Sequence, residues 1–281
     1  MKNINYQIFK SFFKILASLP FPVLYAISDF MYFVLFYLIK YRRQVVRKNL
    51  ISCFPDKSLK EIEQIEKKYY KHLSDLIVES LKSFKISEAQ LKNRIKFNNP
   101  DFFREILKQY SRVIVVMGHT GNWEWAGLLM GLSSPAKHFT VYRPIKNSLF
   151  DRLMYDMRSS TGTIPVPMQM IGRYYLETQE PSVFTFIADQ NPPKESASWH
   201  NFFGKETAFF RGYEKLALKK SAAVVFVYIC KIKRGYYEIF CEKLPPNKSY
   251  SGSFAELLEK SIRRQPYNWL WSHKRWKYTR N

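Results

Sequence analysis

Acidic residues are few in this sequence, and cysteines fewer. Asp and Glu number 23 against 45 Lys and Arg, a formal charge of +22. Such a deficit of acid implies anionic partners: nucleic acid, an anionic membrane surface, or an acidic protein or substrate. The three cysteines, Cys53, Cys230 and Cys241, form no C-x-x-C pair, and their odd number argues against a disulfide framework. They read as structural thiols in a reducing compartment, and none has a neighbouring histidine that would make it a nucleophile. There is no H-E-x-x-H and no Cys/His cluster, so no metal site is expected. No internal repeat or low-complexity tract is present. No nucleic-acid motif is present either, and the basic residues are spread along the chain rather than gathered in one arm, which argues against nucleic acid as the partner.

Aromatic residues, by contrast, reach 17%. Trp and Tyr with Lys and Arg suit a membrane interface, where rings sit at headgroup depth and cations meet phosphates; they also suit single-stranded nucleic acid. A chain of 281 residues is long enough for one large domain, or for a core domain with an appendage. Residues 1–20 mix Lys2, Lys10 and Lys14 with Phe9, Phe12, Phe13, Ile15 and Leu16. From Phe21 to Ile39 the chain is apolar except for Ser28 and Asp29. At about 1.5 Å per residue that stretch nearly crosses a hydrocarbon core of about 30 Å, but Asp29 at its centre costs about 2.5–3.5 kcal/mol in lipid. It is expected either to span a bilayer or to lie half-embedded; the other reading is a core helix of a soluble domain. No small-residue cleavage site follows, so a removed signal peptide is not expected. Lys40, Arg42, Arg43, Arg47 and Lys48 come next and would hold the following chain on the cytoplasmic side. The expected division is a membrane-anchoring segment over 1–48 and an α/β domain over 49–281.

Residues 57–94 have a helical pattern, opened by a capping box at Ser58 and Glu61, with Ile62, Ile65, Tyr69, His72, Leu73, Leu76 and Ile77 on one stripe. His72 reads as a packing residue. Further helices are expected from Pro100–Asp101 to Gln109, over Trp125–Leu132, Leu149–Ser159, Ile171–Thr178, Tyr213–Lys220 and Phe254–Arg264. Strands are expected over Val113–Met117, His138–Tyr142, Ile164–Val166, Val183–Ala188, Ala222–Ile229 and Tyr236–Glu242, with Asn191 to Thr207 as a long loop. This alternation predicts an α/β fold with a central mixed sheet flanked by helices.

The chemistry gathers at Arg112–Glu124, RVIVVMGHTGNWE. A buried strand breaks at Gly118 and presents His119, at the carboxyl end where open α/β sheets place their sites. On one continuous helix His119 and Glu124 would point about 140° apart. With His119 in a turn made by Gly118 and Gly121, and Glu124 in the first turn of a helix capped by Asn122, the two can meet. A carboxylate on one imidazole nitrogen would leave the other free to take a proton from a hydroxyl. The alternative is a structural histidine hydrogen-bonded at a strand end. Two more strand ends carry polar groups, Arg143 and Asp189; Asp189 could equally be a turn cap and Arg143 a solvated side chain. Arg152 and Arg158, six apart, face different sides of their helix.

GHTGNWE resembles the H-x-x-x-x-[DE] motif of the lysophospholipid acyltransferase superfamily, and the wider pattern is similar to its bacterial lipid A late acyltransferase branch, the lauroyl and myristoyl transferases. Tyr142-Arg143-Pro144, Arg158, Ala188-Asp189-Gln190 ahead of a Pro-containing loop, Phe202-Phe203-Gly204 and the closing WLWSHKRWK fit in order, as do Val46-Arg47-Lys48-Asn49-Leu50 and Phe54-Pro55. The F-P-E-G-T-R-S type block of glycerol-phosphate acyltransferases is absent, with ADQNPP in its place, and the motif's acid is Glu rather than Asp.

The resemblance implies a glycerolipid acyltransferase-like fold. It implies an inner-membrane enzyme with its catalytic domain on the cytoplasmic face. Such an enzyme moves a fatty acyl chain from acyl carrier protein or coenzyme A to a hydroxyl of a lipid A precursor. It implies His119 as general base, Glu124 as the group that orients it, and Arg143, Arg158, Asp189 and Gln190 in substrate binding. No cofactor is implied beyond the donor thioester; an acidic carrier protein and an anionic glycolipid are the implied partners. The oxyanion would be met by backbone N–H groups near Gly121 or by Arg158. An acyl-length ruler would be a pocket lined by residues far apart in the chain. The competing expectations are transfer to another lipid, such as an aminolipid or phosphoglycolipid, and a non-catalytic basic protein that binds membrane or nucleic acid.

Overall fold

The computed structural model describes residues 2–179, 181–193, 197–246 and 249–278, the side chains of residues 2 and 3 excepted. The amino-terminal part is helical: α1 (Lys2–Ser18), α2 (Phe21–Phe33) running into a π-helical turn (Val34–Leu38), α3 (Arg43–Cys53), α4 (Leu59–Lys82) and α5 (Glu88–Arg94). Alternation follows: β1 (Ile95–Phe97), α6 (Phe102–Gln109), β2 (Arg112–Met117), α7 (Trp123–Ser133), β3 (Lys137–Tyr142), α8 (Ser148–Ser159), β4 (Ile164–Pro167), α9 (Ile171–Glu177) and β5 (Ser182–Ile187). The remainder is β6 (Ala197–Phe202), β7 (Lys205–Phe210), α10 (Gly212–Lys219), β8 (Ala223–Lys233), β9 (Tyr236–Lys243) and α11 (Tyr250–Arg264).

Seven strands form one mixed sheet in the order β1-β9-β8-β2-β5-β3-β4. All neighbours are parallel except the β8–β9 hairpin. Every residue of β2 is buried, because the strand lies between β5 and β8 and has helices on both faces; its unbroken apolar run is what such a position requires. Ile114 and Val116 face a core built with α3, α4, α9 and α11, while Val113, Val115 and Met117 face one built with α5, α6, α7 and α8. The α/β class with a mixed central sheet is as the alternation predicts.

Two expectations are corrected. The helical pattern of 57–94 is two helices, because Ser87 and Gln90 make a second capping box and restart the chain as α5. The expected loop at Asn191 to Thr207 contains β6 and continues as an antiparallel hairpin with β7; residues 194–196 of that loop lie outside the described residues. The hairpin turns at Phe203 and Gly204, both at positive φ (55° and 72°), as a two-residue turn between twisted strands needs. Phenylalanine is an unusual occupant. Its amide donates to Glu259 (2.5 Å), and its ring packs against Phe54 and Trp271.

The apolar stretch near the amino terminus is not a core helix. Residues Phe21–Leu38 have the length and apolarity to cross a membrane, with mean hydropathy 1.6, and only 17% of that window is buried. One side docks on the domain through three polar ties: Tyr25 to Glu79, buried Ser28 to Asp75, and Asp29 to Arg234. Asp29 is therefore neutralised by a partner, which removes much of its cost near lipid. The other side leaves Val23, Ile27, Phe30, Phe33 and Leu38 exposed; α1 likewise exposes Ile4, Ile8, Phe12 and Ile15 at three- and four-residue steps.

Candidate active site

At the carboxyl end of β2 the chain makes a tight turn through two glycines, of which Gly121 has the backbone conformation that favours glycine. A Cβ on Gly118 would lie 2.6 Å from Leu258 Cδ1, and one on Gly121, which is at φ +56°, would lie 2.5 Å from Ile229 Cγ2. Asn122 then caps α7, its Oδ1 accepting from Trp125 N at 2.9 Å, so Glu124 lies in the first helical turn as expected. The turn is gripped from outside. Gly121 N donates to Asn268 O and Leu270 N donates to His119 O, with Thr120 and Trp269 bridged antiparallel. The Gly121 amide is thus already committed to Asn268 O.

The carboxylate that holds His119 is Asp189. His119 Nδ1 is 2.6 Å from Asp189 Oδ1, and the His119 amide donates to Oδ2 at 2.9 Å. Trp269 Nε1 donates to the same Oδ2 at 2.7 Å. Asp189 is 2% exposed. Burial by itself would raise its pKa, but His119 and the Trp269 N–H hold it down at about 2, so it stays ionised. An ionised acceptor at Nδ1 selects the tautomer with the proton there and leaves the Nε2 lone pair for the cavity. Gln190 Nε2 lies 3.4 Å from that nitrogen, and the Trp123 ring stands edge-on to the imidazole at 5.1 Å.

Glu124, expected to orient His119, instead gives both oxygens to Arg158, with Nε at 3.0 Å and Nη2 at 2.5 Å. Arg158 of α8 presents its guanidinium fork to the first turn of α7, and that fork, not the imidazole, takes the carboxylate. The forked geometry keeps both charges in place; Arg158 is desolvated, yet Glu124 still raises its pKa. Arg152, on another face of α8, lies over the Tyr6 ring of α1. His119, Glu124, Arg158, Gln190 and exposed Arg143 all line one cavity of about 460 Å³. Asp189, expected in substrate contact or in the architecture of the site, stands behind the imidazole. The cavity runs from this polar mouth between α7 and the strands β3 and β5, over Leu128, Val141, Ile187 and the threonines 140, 163 and 185.

Two contributors were not legible beforehand. One is Trp269, whose role exists only because the carboxyl-terminal segment folds back over the turn. Asn49 of the RKNL stretch anchors that segment, its Nδ2 donating to Trp271 O and His273 O at 3.0 Å each; the two most distant parts of the motif set thus meet. The other is Glu79 of α4, whose Oε2 accepts from Asn122 Nδ2 (2.8 Å) and the Tyr237 hydroxyl (2.7 Å). Neither carries a local signal, since both act across more than 40 residues of sequence. The cysteines behave as structural thiols: burial pushes Cys53 and Cys241 up to about 12. His72 is buried beside the Tyr237 and Tyr267 rings, with Nδ1 3.2 Å from Lys231 Nζ.

The sequence pattern of bacterial lipid A biosynthesis acyltransferases matches residues 5–278. The chain belongs to this family. Among relatives, the lipid A biosynthesis palmitoleoyltransferase of Escherichia coli K12 is 26% identical over 274 residues, covering 93% of this chain and 87% of its own. The lipid A biosynthesis acyltransferase of Shigella flexneri aligns with the same identity and coverage. The lauroyltransferase of E. coli K12 is 22% identical over 274 residues, 94% of this chain and 88% of its own. The protein is therefore an acyltransferase.

Proposed function

We propose that the protein transfers a fatty acyl chain from an acyl thioester to a hydroxyl of a lipid A precursor, with His119 as general base. The observation that carries this reading is the Asp189–His119 pair, in which the carboxylate holds Nδ1 while the imidazole lines a largely apolar cavity. The acceptor hydroxyl gives its proton to Nε2 as its oxygen bonds to the thioester carbonyl carbon. The tetrahedral oxyanion is met by N–H groups of Arg158 not used by Glu124, or by the open amides in the first turn of α7. The carbon–sulfur bond then breaks, and the imidazolium returns the proton to the leaving thiolate. A thioester is already activated, so no acyl-enzyme and no cofactor is needed.

The donor is acyl carrier protein, whose acidity suits the +22 charge of the chain, with coenzyme A as the other thioester to test. Exposed Arg143 at the mouth suits a phosphate of the acceptor. The protein sits on the inner membrane with its domain on the cytoplasmic face. The apolar faces of α1 and α2 enter the lipid, followed by Lys40, Arg42 and Arg43 at the headgroups. Phe9 and Phe13 of α1 pack on Phe150 of α8, the helix that also carries Arg158. The test is lipid mass spectrometry of wild type and His119→Ala, incubated with acyl carrier protein thioesters and a tetra-acylated precursor. One added acyl group with wild type, lost in the variant, is expected. Equal product from both removes His119 as base. No product from either turns the search to coenzyme A donors and to aminolipid or phosphoglycolipid acceptors.

A further inference from the structure

Helix α7 carries two interior glycines on one face, and the structure explains only one of them by packing. Trp123, Gly127 and Gly131 recur every four residues, so they follow one another along a single side of the helix. Trp123 stands against His119 at the mouth. A Cβ on Gly131 would lie 2.3 Å from Thr163 Oγ1 and 2.8 Å from Thr161 O, so here the loop before β4 seals against the helix. A Cβ on Gly127 would meet nothing within 4 Å, and Gly127 has no positive φ to demand glycine. Glycine inside a helix is destabilising relative to alanine. Neither backbone nor neighbours account for it at 127; what lies above it is the cavity that it lines.

The far wall is made by threonines. Thr163 and Thr185 line the cavity with their hydroxyls tied down, on His138 Nδ1 (3.1 Å) and Nε2 (2.9 Å), and the Thr163 hydroxyl also donates to Gly127 O at 3.3 Å. Eight residues of helix separate Trp123 from Gly131, about 12 Å at 1.5 Å per residue. An extended chain advances about 1.2 Å per bond, so the cavity takes a saturated chain of roughly ten bonds beyond the reacting carbon before it meets the Thr163–Gly131 seal.

We propose that Gly127 sets the acyl-chain length of this enzyme: its missing side chain is the space the middle of an unsubstituted hydrocarbon chain occupies. The inference rests on the cavity being the acyl seat. The measurement is transfer by full-length wild type, Gly127→Ala and Gly127→Leu from carrier-protein thioesters graded by pairs of methylenes, alongside displacement of a fluorescent fatty acid by free fatty acids of the same lengths. At close packing each added side-chain carbon displaces about one methylene. Leucine is therefore expected to shift the preference shorter by about four methylenes and to raise the ratio of short- to long-donor rates at least about tenfold. Alanine shifts it less, while melting at a higher temperature than wild type. Gly172→Ala, on α9 with nothing within 4 Å of its Cβ and outside the cavity, gives the same kind of exchange without a length shift. An unchanged length profile in Gly127→Leu, or an equal loss on every donor, overturns the proposal. If wild type transfers nothing but its fatty-acid binding is length-graded and shortened by Gly127→Leu, this inference stands and the transfer reading falls.

Discussion

Two buried carboxylates grip the same short turn from opposite sides, and they are tuned in opposite directions. Asp189, at the end of β5, holds His119; Glu79, on α4, holds the cap residue Asn122. Both are essentially out of water. Asp189 faces an imidazole, a backbone amide and an indole N–H, and its pKa falls to about 2. Burial pushes Glu79 up to about 7, because its nearest partners are neutral: Tyr25, Tyr237 and Asn122. Burial alone therefore does not set charge; the donors around the carboxylate do. On the Asp189 side the charge has a task, fixing an imidazole. On the Glu79 side the carboxyl joins three elements: α7, β9 and, through Tyr25, the exposed apolar helix α2.

The largest expected effect breaks the first site. Asp189→Asn keeps the shape but favours the wrong imidazole tautomer, and kcat is expected to fall about 10⁴-fold; a loss under tenfold, measured with the protein still folded by near-UV circular dichroism, would remove Asp189 as the partner. The pH dependence of stability sharpens the contrast. The native pKa of Asp189 lies below its ordinary value of 3.8. Its contribution is thus complete above about pH 4 and is lost as pH falls toward 2, amounting to about 2–3 kcal/mol. The native pKa of Glu79 lies above its ordinary 4.5. Stability therefore declines by about 3 kcal/mol as pH rises from about 4.5 through 7. Denaturant melts of Glu79→Gln across this range should lack that decline. A wild-type slope retained in the variant would show that Glu79 is not its source.

Smaller effects test each grip. Trp269→Phe removes one charged hydrogen bond to Asp189, a loss of about 1.5–3 kcal/mol. It should lower kcat more than it raises KM, because the indole acts through Asp189 rather than on substrate; a change confined to KM would contradict this. Tyr25→Phe removes the tie from α2 to Glu79 and should cost about 0.5–1.5 kcal/mol in a urea melt, with the Glu79-linked pH slope still present. Gly127→Ala is expected to add about 0.5–1 kcal/mol in the same melt, the cost of an interior glycine returned.

Local patterns in the chain proved informative where the physics is local. Five consecutive apolar residues at 113–117 required a fully buried strand; Gly118 and Gly121 required a turn; Ser58 with Glu61 required a helix start. The family pattern in GHTGNWE and WLWSHKRWK was readable for the same reason, since each piece is short. Glu124 is close to His119 in sequence, but its carboxylate is joined in space to Arg158. The acid that reaches His119 is 70 residues away. The β6–β7 hairpin was missed because its turn is Phe-Gly rather than Asn-Gly, and what stabilises Phe203 at positive φ is Glu259 and the rings of Phe54 and Trp271.

By itself, then, the sequence determined most strands and helices of the sheet domain, the β6–β7 hairpin and the break before α5 excepted, that the chain is basic, and that one apolar stretch interrupted by Asp29 lies near its start. Periodicity, caps and composition depend only on near neighbours. The tertiary structure alone decided that Asp189 rather than Glu124 holds His119, that Arg234 neutralises Asp29, and that Glu79 titrates near neutrality. Each of these depends on donors and acceptors brought together from elements far apart in the chain, and the desolvation of Asp189 and Glu79 exists only once the two cores have closed around them.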